Sequence, residues 1–533
     1  MLIKIDPSLV LKGIGIILTI NALQFLYRFV QVRWKFRRLQ AQGIPLIPHS
    51  VLLGHLHVLY KLRKSKPADF HPNYLSELIL NNWRTLFPQC TTCPPLFYLD
   101  LWPLGPPTVF TISPTLAHQS ITNPSLSHAE SALRWLHPLT LGLDLTSLPP
   151  GPWRTWRTRF NPGFAPKNIT ALIPTMLDEV VLFRDILVSR AGGPTKGTFG
   201  PTFSLEELTT NLTFDIISRA TLDVRLGEQS PSGPTEFARA MLDQATHGIF
   251  EDNIFTLWRK ISPARQYRMW RNTRIMRGFL EPLIQKRDGR GTAVVDLAVR
   301  EVGEDEKGEK EFMDTVVSQL KLFVFAGLDT TSTALCWVLH ALGFHQGVGD
   351  KVREEVAREI GGGVVEKLRD RPHLLGRLAY TGAVVKETLR FWPSMGVVRD
   401  GTGGFEFKGE DGRVYPGDGF MIWDGVRAAM RSEELWVRPN EFLPERWLVG
   451  PEHELYPVKN AWRAFGLGGR GCIGQELATV EMKLVVVLVC QAVEMECAWE
   501  GDGDEMDGHR CYQTGEGTPH TKDGMPMRVR VRE

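Results

Sequence analysis

Near the carboxyl end of the chain, residues 465–474 read Phe-Gly-Leu-Gly-Gly-Arg-Gly-Cys-Ile-Gly. The glycines around Cys472 let the backbone adopt positive φ angles and approach a large flat partner closely. An apolar run at 475–492 predicts a helix whose amino terminus lies beside the sulfur and favours its negative charge. These residue types predict an accessible thiolate ligand. The alternative is a glycine-rich loop with an incidental cysteine.

Helical periodicity dominates the chain upstream of this loop. The clearest predicted helix covers residues 312–342 and is long enough to cross a domain. Further helices are predicted at 205–221, 351–360, 379–391 and 475–492, and short strands at 97–101, 108–112, 414–423 and 527–531. We find no repeat and no linker long enough to separate domains between these elements. The sequence therefore predicts one mainly α body with a minor β region.

The amino-terminal segment predicts a membrane anchor. Residues 9–27 are mostly apolar and come close to the about 20 residues that cross a bilayer. Lys12, Asn21 and Gln24 lie inside the segment, so a monotopic or surface helix remains an alternative. Basic residues follow it, which predicts that the body faces the cytoplasm. We expect an anchor at 1–30, a basic, proline-containing hinge at 31–50 and the body at 51–533.

Charge and cysteine content exclude several classes of protein. Lys+Arg number 62 and Asp+Glu 60, for a net charge of +2, which argues against nucleic-acid binding and favours a small or apolar partner. Seven cysteines are too few for a disulfide scaffold. Cys90 and Cys93 resemble half of a zinc site, but no second pair has ligand spacing. Cys472 is therefore the cysteine to which the sequence gives a role.

Residues 465–474 match Phe-x-x-Gly-x-Arg-x-Cys-x-Gly, which resembles the haem-binding signature of the cytochrome P-450 family of haem-thiolate monooxygenases. Four other segments resemble the same family: Trp-x-x-x-Arg at 153–157, Ala-Gly-x-Asp-Thr-Thr at 326–331, Glu-x-x-Arg at 387–390 and Pro-Glu-Arg-Trp at 444–447. The resemblance spans essentially the whole chain. It implies the cytochrome P-450 fold with one amino-terminal transmembrane helix, of the microsomal type found in fungal specialised metabolism.

The resemblance also implies how haem b would be held. The thiolate of Cys472 would be the axial ligand of the iron. Five further residues would contact the cofactor, most of them as donors to its propionates: Trp153, Arg157, Arg399, Phe465 and Arg470. The body at 51–533 would then be a haem-thiolate catalytic domain.

Two further groups of residues receive roles by resemblance. Asp329 and Thr330 would relay protons for heterolytic cleavage of the oxygen–oxygen bond. The alternative is that Thr330 only bonds its own helix and Asp329 points to solvent. Glu387, Arg390 and Arg446 would form a buried guanidinium–carboxylate network that is structural and not catalytic.

Substrate contacts are expected from four apolar positions, which are equally compatible with core packing: Phe323, Ala326, Val397 and Val398. The expected reaction inserts one oxygen atom from O2 into a hydrophobic small molecule. The same fold also accommodates a haem-thiolate isomerase or dehydratase, and a non-catalytic haem carrier or sensor is the alternative from another class.

Electrons are expected from an NADPH-dependent flavoprotein reductase, because no Gly-x-Gly-x-x-Gly unit follows the haem signature. Four basic residues form the expected docking face for it: Arg154, Arg159, Arg463 and Lys483. The expected location is the endoplasmic reticulum membrane, single-pass, with the catalytic domain in the cytosol.

Overall fold

The computed structural model describes residues 7–192, 197–246, 262–345, 347–499, 501–506, 508–515 and 517–532. Most of these residues are helical. The helices are α1 (Pro7–Ala41), α2 (Leu56–Arg63), α3 (Tyr74–Asn81), α4 (Trp83–Leu86), α5 (Pro114–Ile121), α6 (Glu130–Thr140), α7 (Pro150–Phe160), α8 (Pro166–Ser189), α9 (Leu205–Leu222), α10 (Glu236–Thr246), α11 (Pro263–Gln285), α12 (Val294–Val299), α13 (Glu304–Gly308), α14 (Lys310–Phe344), α15 (Val348–Glu359), α16 (Val364–Asp370), α17 (Ala379–Phe391), α18 (Val426–Arg431) and α19 (Gln475–Ala492). Short 3-10 turns lie at Asn161–Phe164, Pro372–Arg377, Pro444–Trp447 and Lys522–Gly524.

The strands form small sheets at the edge of the helical body. They are β1 (Leu96–Leu99), β2 (Thr108–Thr111), β3 (Phe203–Ser204), β4 (Val398–Asp400), β5 (Glu406–Lys408), β6 (Val414–Pro416), β7 (Met421–Asp424), β8 (Val493–Cys497), β9 (Gln513–Thr514), β10 (His520–Thr521) and β11 (Pro526–Val531). A four-stranded sheet has the order β1-β2-β7-β4, in which β2 and β7 are parallel and the other neighbours antiparallel. A three-stranded sheet has the order β3-β11-β8, and β9 with β10 and β5 with β6 form hairpins.

Helix α14 is the axis of the core. Its apolar residues are almost continuous, so it is buried on nearly every side and packs along α9. Gly327 makes this approach possible, since a Cβ at that position would lie 2.4 Å from the Cδ1 of Ile217 in α9. The hydroxyl of Thr213, also in α9, donates to the carbonyl of Leu328 at 3.3 Å. The long helix predicted at 312–342 is therefore present, with two more residues at each end.

Among the described residues, two helices are long and apolar enough to cross a membrane. One is α14, which is mostly buried in the body. The other is α1 from Gly15 to Ala41, whose apolar window is not buried at all. Its exposed apolar side chains include Ile17, Leu18 and Leu26. The apolar surface of α1 is therefore available to a membrane, as a candidate anchor.

The structure differs from the predicted boundary at residue 30. Helix α1 continues through the basic residues to Ala41, because Arg, Lys and Gln are good helix formers and the next glycine is Gly43. The last turns are fixed on the body: Phe36 is buried, and Arg33 pairs with buried Asp100 and donates to the carbonyl of Val51 at 2.8 Å. The segment predicted as a hinge at 31–50 therefore begins as a docked helix.

The strand prediction at 414–423 was wrong in its extent. The structure has two strands there, β6 and β7, which belong to different sheets. Gly419 lies between them with a φ of +68°, a left-handed conformation that ends an extended run. The helices predicted at 379–391 and 475–492 are confirmed at the same residues.

Candidate active site

The glycine-rich loop ahead of α19 holds Cys472 in an accessible position. Gly466 and Gly468 have φ angles of +71° and +70°, and the amide of Cys472 donates to the carbonyl of Phe465 at 2.8 Å. A Cβ on Gly468 would lie 2.9 Å from the side chain of Thr122, so this position requires glycine. The loop closes on itself and leaves the side chain of Cys472 exposed.

The electrostatic environment of the Cys472 thiol contains opposing contributions. Burial among protein atoms raises its pKa, whereas hydrogen bonds to the backbone of Gly474 and Gln475 and the charge of Arg157 lower it. The net effect is a raised pKa, although the side chain is accessible. A sulfur that has an accessible surface but is surrounded by protein atoms lies at the wall of an internal space. Such a thiol becomes a thiolate when a metal cation replaces its proton.

Arg157, in α7, lies on the sulfur side of the loop. Its Nη1 donates to the carbonyl of Gly471 at 2.9 Å, and its Nε donates to Asn161 at 3.0 Å. The guanidinium therefore positions the residue that precedes Cys472. Trp153, one turn earlier in α7, contacts a different residue of the loop, since the guanidinium carbon of Arg470 lies 4.5 Å from the centre of its indole ring.

A group of cationic side chains lies beside Trp153. Arg399, in β4, is only 1% exposed, and its Nε and Nη1 have no hydrogen-bond partner. Burial lowers the pKa of Arg399 to about 10, and the nearby charge of Arg470 lowers it too. Among the described residues, no carboxylate forms an ion pair with either arginine. Unpaired buried donors of this kind are costly, so the site is built for an anion that is not part of the chain.

His128 joins this group. Its backbone forms a β-bridge with Arg399, and its Nδ1 is 3.0 Å from the carbonyl oxygen of Thr146. Burial lowers the pKa of His128 to about 3, and the charges of Arg399 and Arg470 act in the same direction. The imidazole is therefore neutral. No motif points to His128, because only the fold brings residue 128 next to residue 399.

Glu387, Arg390 and Arg446 lie together, and their side chains are completely buried. Glu387 accepts from Arg390 at 2.9 and 3.0 Å and from Arg446 at 3.1 Å. The indole of Trp447 and the amide of Leu443 also donate to this carboxylate. Both carboxylate oxygens of Glu387 therefore accept hydrogen bonds from guanidinium groups, and the network connects α17 to the turn at Pro444–Trp447.

The middle of α14 faces open space. Ala326 is exposed although most residues around it in α14 are buried, so this face of the helix borders open space, which is called the cavity below. The hydroxyl of Thr330, one turn later, donates to the carbonyl of Ala326 at 2.8 Å. The oxygen of Thr330 remains free to accept a hydrogen bond from the cavity.

Asp329 does not point to bulk solvent. Burial raises its pKa, against the opposing effects of His520 and of a hydrogen bond with Thr518. Its Oδ1 is 3.7 Å from Nε2 of His520, and Nδ1 of His520 is 2.5 Å from Glu206. Burial disfavours the charge on His520, but Glu206 and Asp329 outweigh it and raise the pKa of His520 to about 9. His520 is therefore an imidazolium between two carboxyl groups, and sequence reasoning missed both it and Glu206 because their partners are far away in the chain.

The predicted substrate positions separate into two groups. Phe323 is buried in an aromatic cluster, stacked on Phe164 at 5.3 Å and edge-on to Phe160 at 5.0 Å, so it belongs to the core. Val397 and Val398 are partly exposed, and Val397 is 3.4 Å from the Cβ position of Gly466. Of the four positions, Ala326 therefore lies on the exposed face of α14, and Val397 lies beside the glycine loop.

The expected basic docking face is not a single surface. Arg463 is 1% exposed and forms an ion pair with Asp424 at 2.5 Å. Lys483 donates to the carbonyl of Leu375, and Arg159 donates to the carbonyl of Ala298. Arg154 alone of the four is fully exposed. The prediction was wrong for Arg463, because a buried guanidinium that is already paired with a carboxylate is not accessible to a partner protein.

Comparison with known proteins agrees with this geometry. The sequence profile of the cytochrome P-450 family matches residues 95–510. The chain is 33% identical to the cytochrome P-450 monooxygenase polC of Polytolypa hystricis over 98% of its own length and 96% of that protein. It is 27% identical to the cytochrome P-450 monooxygenase acrF of Aspergillus aculeatus, over 89% and 100% of the two chains. The crystal structure of the cytochrome P-450DA haem domain superposes with a TM-score of 0.69 at 22% identity, covering 92% of this chain and 96% of that one.

The chain belongs to the cytochrome P-450 family. It is therefore an oxidoreductase of the monooxygenase class, which uses haem iron, O2, a substrate and a redox partner. The residues present fit haem: an accessible thiol projects from a loop kept open by glycines, and Arg399 has buried donors without partners. The two carboxylates of a haem would supply the anions that this part of the chain lacks.

Proposed function

We propose that this chain is a membrane-anchored monooxygenase that inserts one oxygen atom from O2 into a hydrophobic small molecule of specialised metabolism. In this proposal haem b is the cofactor, and a separate NADPH-dependent flavoprotein reductase supplies the electrons. The single observation that carries the proposal is the accessible Cys472 thiol in its glycine loop.

Cys472, Arg399 and Arg470 would hold the cofactor. The thiolate of Cys472 binds the iron, the backbone donors at Gly474 and Gln475 stabilise its charge, and Arg157 fixes the loop. The donors of Arg399, with Arg470 and Trp153 beside them, bind the propionates. When bound, the thiolate-ligated haem supplies the activation of O2.

Asp329 and Thr330 would move protons into the cavity. Asp329 holds a proton at its carboxyl group more readily than an ordinary aspartate, because burial raises its pKa. The His520 imidazolium, whose Nε2 is 3.7 Å away, stabilises the Asp329 carboxylate that each transfer leaves. The Thr330 hydroxyl, which donates to the carbonyl of Ala326, accepts the proton from Asp329 and passes it on.

The substrate would lie against the exposed part of α14. Ala326 supplies a small apolar surface there, and Val397 and Val398 add partly exposed apolar side chains near the glycine loop. These residues offer no charge to a ligand. They favour a hydrophobic substrate whose oxidised position is set by shape.

The surface beside α1 supports membrane attachment of the body as well as of the anchor. Val51, Leu52 and Leu53 are exposed, and Arg33 of α1 holds this segment by bonds to the carbonyls of Val51 and Leu52. Leu104 is an exposed apolar side chain in the loop that carries Trp102, which contacts Phe25 of the anchor at 4.4 Å. We propose a single-pass location in the endoplasmic reticulum membrane with the body in the cytosol, which protease protection of intact microsomes tests.

Isotopically labelled O2 tests the reaction. The full chain is reconstituted in vesicles with NADPH and a flavoprotein reductase, and candidate lipophilic compounds are followed by mass spectrometry. We expect product that carries one labelled oxygen atom and that requires both NADPH and reductase. Turnover without O2 or reductase would identify an isomerase or dehydratase instead, and binding without turnover of any compound would favour a carrier.

A further inference from the structure

A second cluster of metal-ligating side chains lies outside the cavity described above. It comprises His340 in α14, Cys497 at the end of β8 and Cys511 just before β9. Nδ1 of His340 is 3.2 Å from Sγ of Cys497, which is 3.5 Å from Sγ of Cys511. All three ligand atoms lie within 4.8 Å of one another. Three separate segments of the chain therefore bring one nitrogen and two sulfur atoms close together.

Two of these three separations are close to those of ligands around one tetrahedral zinc ion. Zinc–sulfur bonds of about 2.3 Å and zinc–nitrogen bonds of about 2.0 Å place neighbouring ligand atoms roughly 3.6–3.8 Å apart. The observed sulfur–sulfur and nitrogen–sulfur distances differ from those values by a few tenths of an ångström. The third pair, His340 Nδ1 and Cys511 Sγ, lies within 4.8 Å, so side-chain rotations that draw these two atoms together would complete the coordination.

We propose that His340, Cys497 and Cys511 bind a Zn²⁺ ion, with a light atom from water or a further side chain in the fourth position. Two thiolates and one imidazole form the soft donor set that zinc prefers over magnesium or calcium. The ion is structural. His340 lies ten residues after Thr330 in α14, which places the site roughly 15 Å along the helix from the proposed proton relay.

The surroundings of the cluster orient its ligands. The indole of Trp499 lies near the sulfurs of both Cys497 and Cys511, and an indole N–H can only donate, as to a thiolate. The His340 ring is held between aromatic neighbours, stacked on Phe344 at 5.1 Å and edge-on to Trp392 at 5.7 Å. A buried imidazole with a fixed ring orientation on the central helix is a rigid ligand.

The segment between the two cysteines explains why an ion is useful here. The thirteen residues from 498 to 510 are rich in glycine and acidic residues, a composition that buries little apolar surface. The described part of this segment contains one isolated β-bridge, between Met506 and His509. An ion shared by Cys497, Cys511 and His340 would close this loop and attach it to α14, just before the hairpin that carries His520.

Metal analysis of the full-chain holoenzyme tests the proposal directly. The protein is equilibrated with zinc chloride and desalted, and zinc and iron are then counted by mass spectrometry. We expect about one zinc per iron. X-ray absorption at the zinc edge should show two sulfur ligands at about 2.3 Å and two nitrogen or oxygen ligands at about 2.0 Å.

Variants identify the ligands. Cys511→Ser and His340→Gln should each reduce the zinc-to-iron ratio to below about a tenth of its value, whereas Cys90→Ser, at a thiol elsewhere in the chain, should leave the ratio unchanged. Three results would overturn the proposal: a zinc-free wild type with two reactive thiols, a Cys497–Cys511 disulfide found by peptide mapping, or zinc whose absorption spectrum shows no sulfur ligand. The wild-type measurements decide the question even if a variant fails to fold.

Discussion

Replacing Glu387 with glutamine perturbs the buried ion network with almost no change of shape. The carboxylate accepts hydrogen bonds from Arg390 and Arg446, and all three side chains are fully buried. Glutamine keeps one acceptor oxygen but turns an NH2 group towards a guanidinium group. Two buried positive charges then lose their counter-charge, which is the situation in which breaking an ion pair is most destabilising.

The expected loss follows from this geometry. Removal of one partner from a buried ion pair costs about 3–5 kcal/mol. Unfolding entropy of about 2.1 cal/mol/K per residue gives roughly 1 kcal/mol/K for a body of about 480 residues, so Tm should fall by about 3–5 °C. Scanning calorimetry of the holoenzyme at one fixed heating rate measures this shift.

Glu445→Gln is the matched control. Glu445 directly precedes Arg446 in sequence, but its side chain is 39% exposed and pairs with the exposed Lys351. Exposed pairs contribute about 0–1 kcal/mol, so its Tm should change by less than about 1 °C. Equal shifts in the two variants would contradict this expectation, because burial of Glu387 would then have no energetic consequence.

Three further predictions concern the active site. Arg399→Leu should weaken haem retention by about 10–100-fold, measured as transfer of haem to apomyoglobin. Arg154→Gln, at an exposed arginine, should leave haem retention unchanged. Equal haem retention in the two variants would show that Arg399 does not hold the cofactor. Because the folded pKa of His520 is raised to about 9, its charge should stabilise the fold fully below about pH 6.5 and lose this effect as the pH rises through 9. Because the side chain of His520 is 45% exposed, its charge contributes only about 1 kcal/mol to the free energy of unfolding. The Tm difference between wild type and His520→Gln should therefore shrink as the pH rises over that range. A Tm difference that grows with pH would contradict a raised pKa of His520. Thr330→Ala removes a hydroxyl from the cavity and should increase peroxide release per NADPH several-fold, whereas unchanged coupling would contradict a proton relay through this residue.

Local sequence patterns predicted much of the fold. The glycine loop, the long helix at 312–342 and the helices at 379–391 and 475–492 each have a periodicity or a residue type that only one local structure accommodates. The spacing of Glu-x-x-Arg places Glu387 and Arg390 on one helix face, whereas the burial of the pair and the addition of Arg446 were implied only by the family resemblance. The local pattern gave a wrong prediction for the strand at 414–423, because Gly419, in a left-handed conformation, divides this extended segment into two strands.

Contacts between distant segments of the chain could not be predicted from the sequence. His128, Glu206 and His520 lie in no motif, and only folding brings each of them to Arg399 or Asp329. The same holds for Cys497 and Cys511, which look unrelated until β8 and α14 place them beside His340. Arg463 illustrates the reverse error, since a basic residue in an exposed-looking loop is buried against Asp424.

We propose that Cys472 binds haem iron as a thiolate, and one spectrum distinguishes this ligand from any other. The purified full chain is reduced under carbon monoxide, and the position of the Soret band is compared with that of Cys472→Ser. Thiolate ligation predicts a strongly red-shifted band in the wild type that is lost in the variant. A folded, haem-loaded wild type without the shifted band, or a variant that keeps it, would contradict the assignment of Cys472.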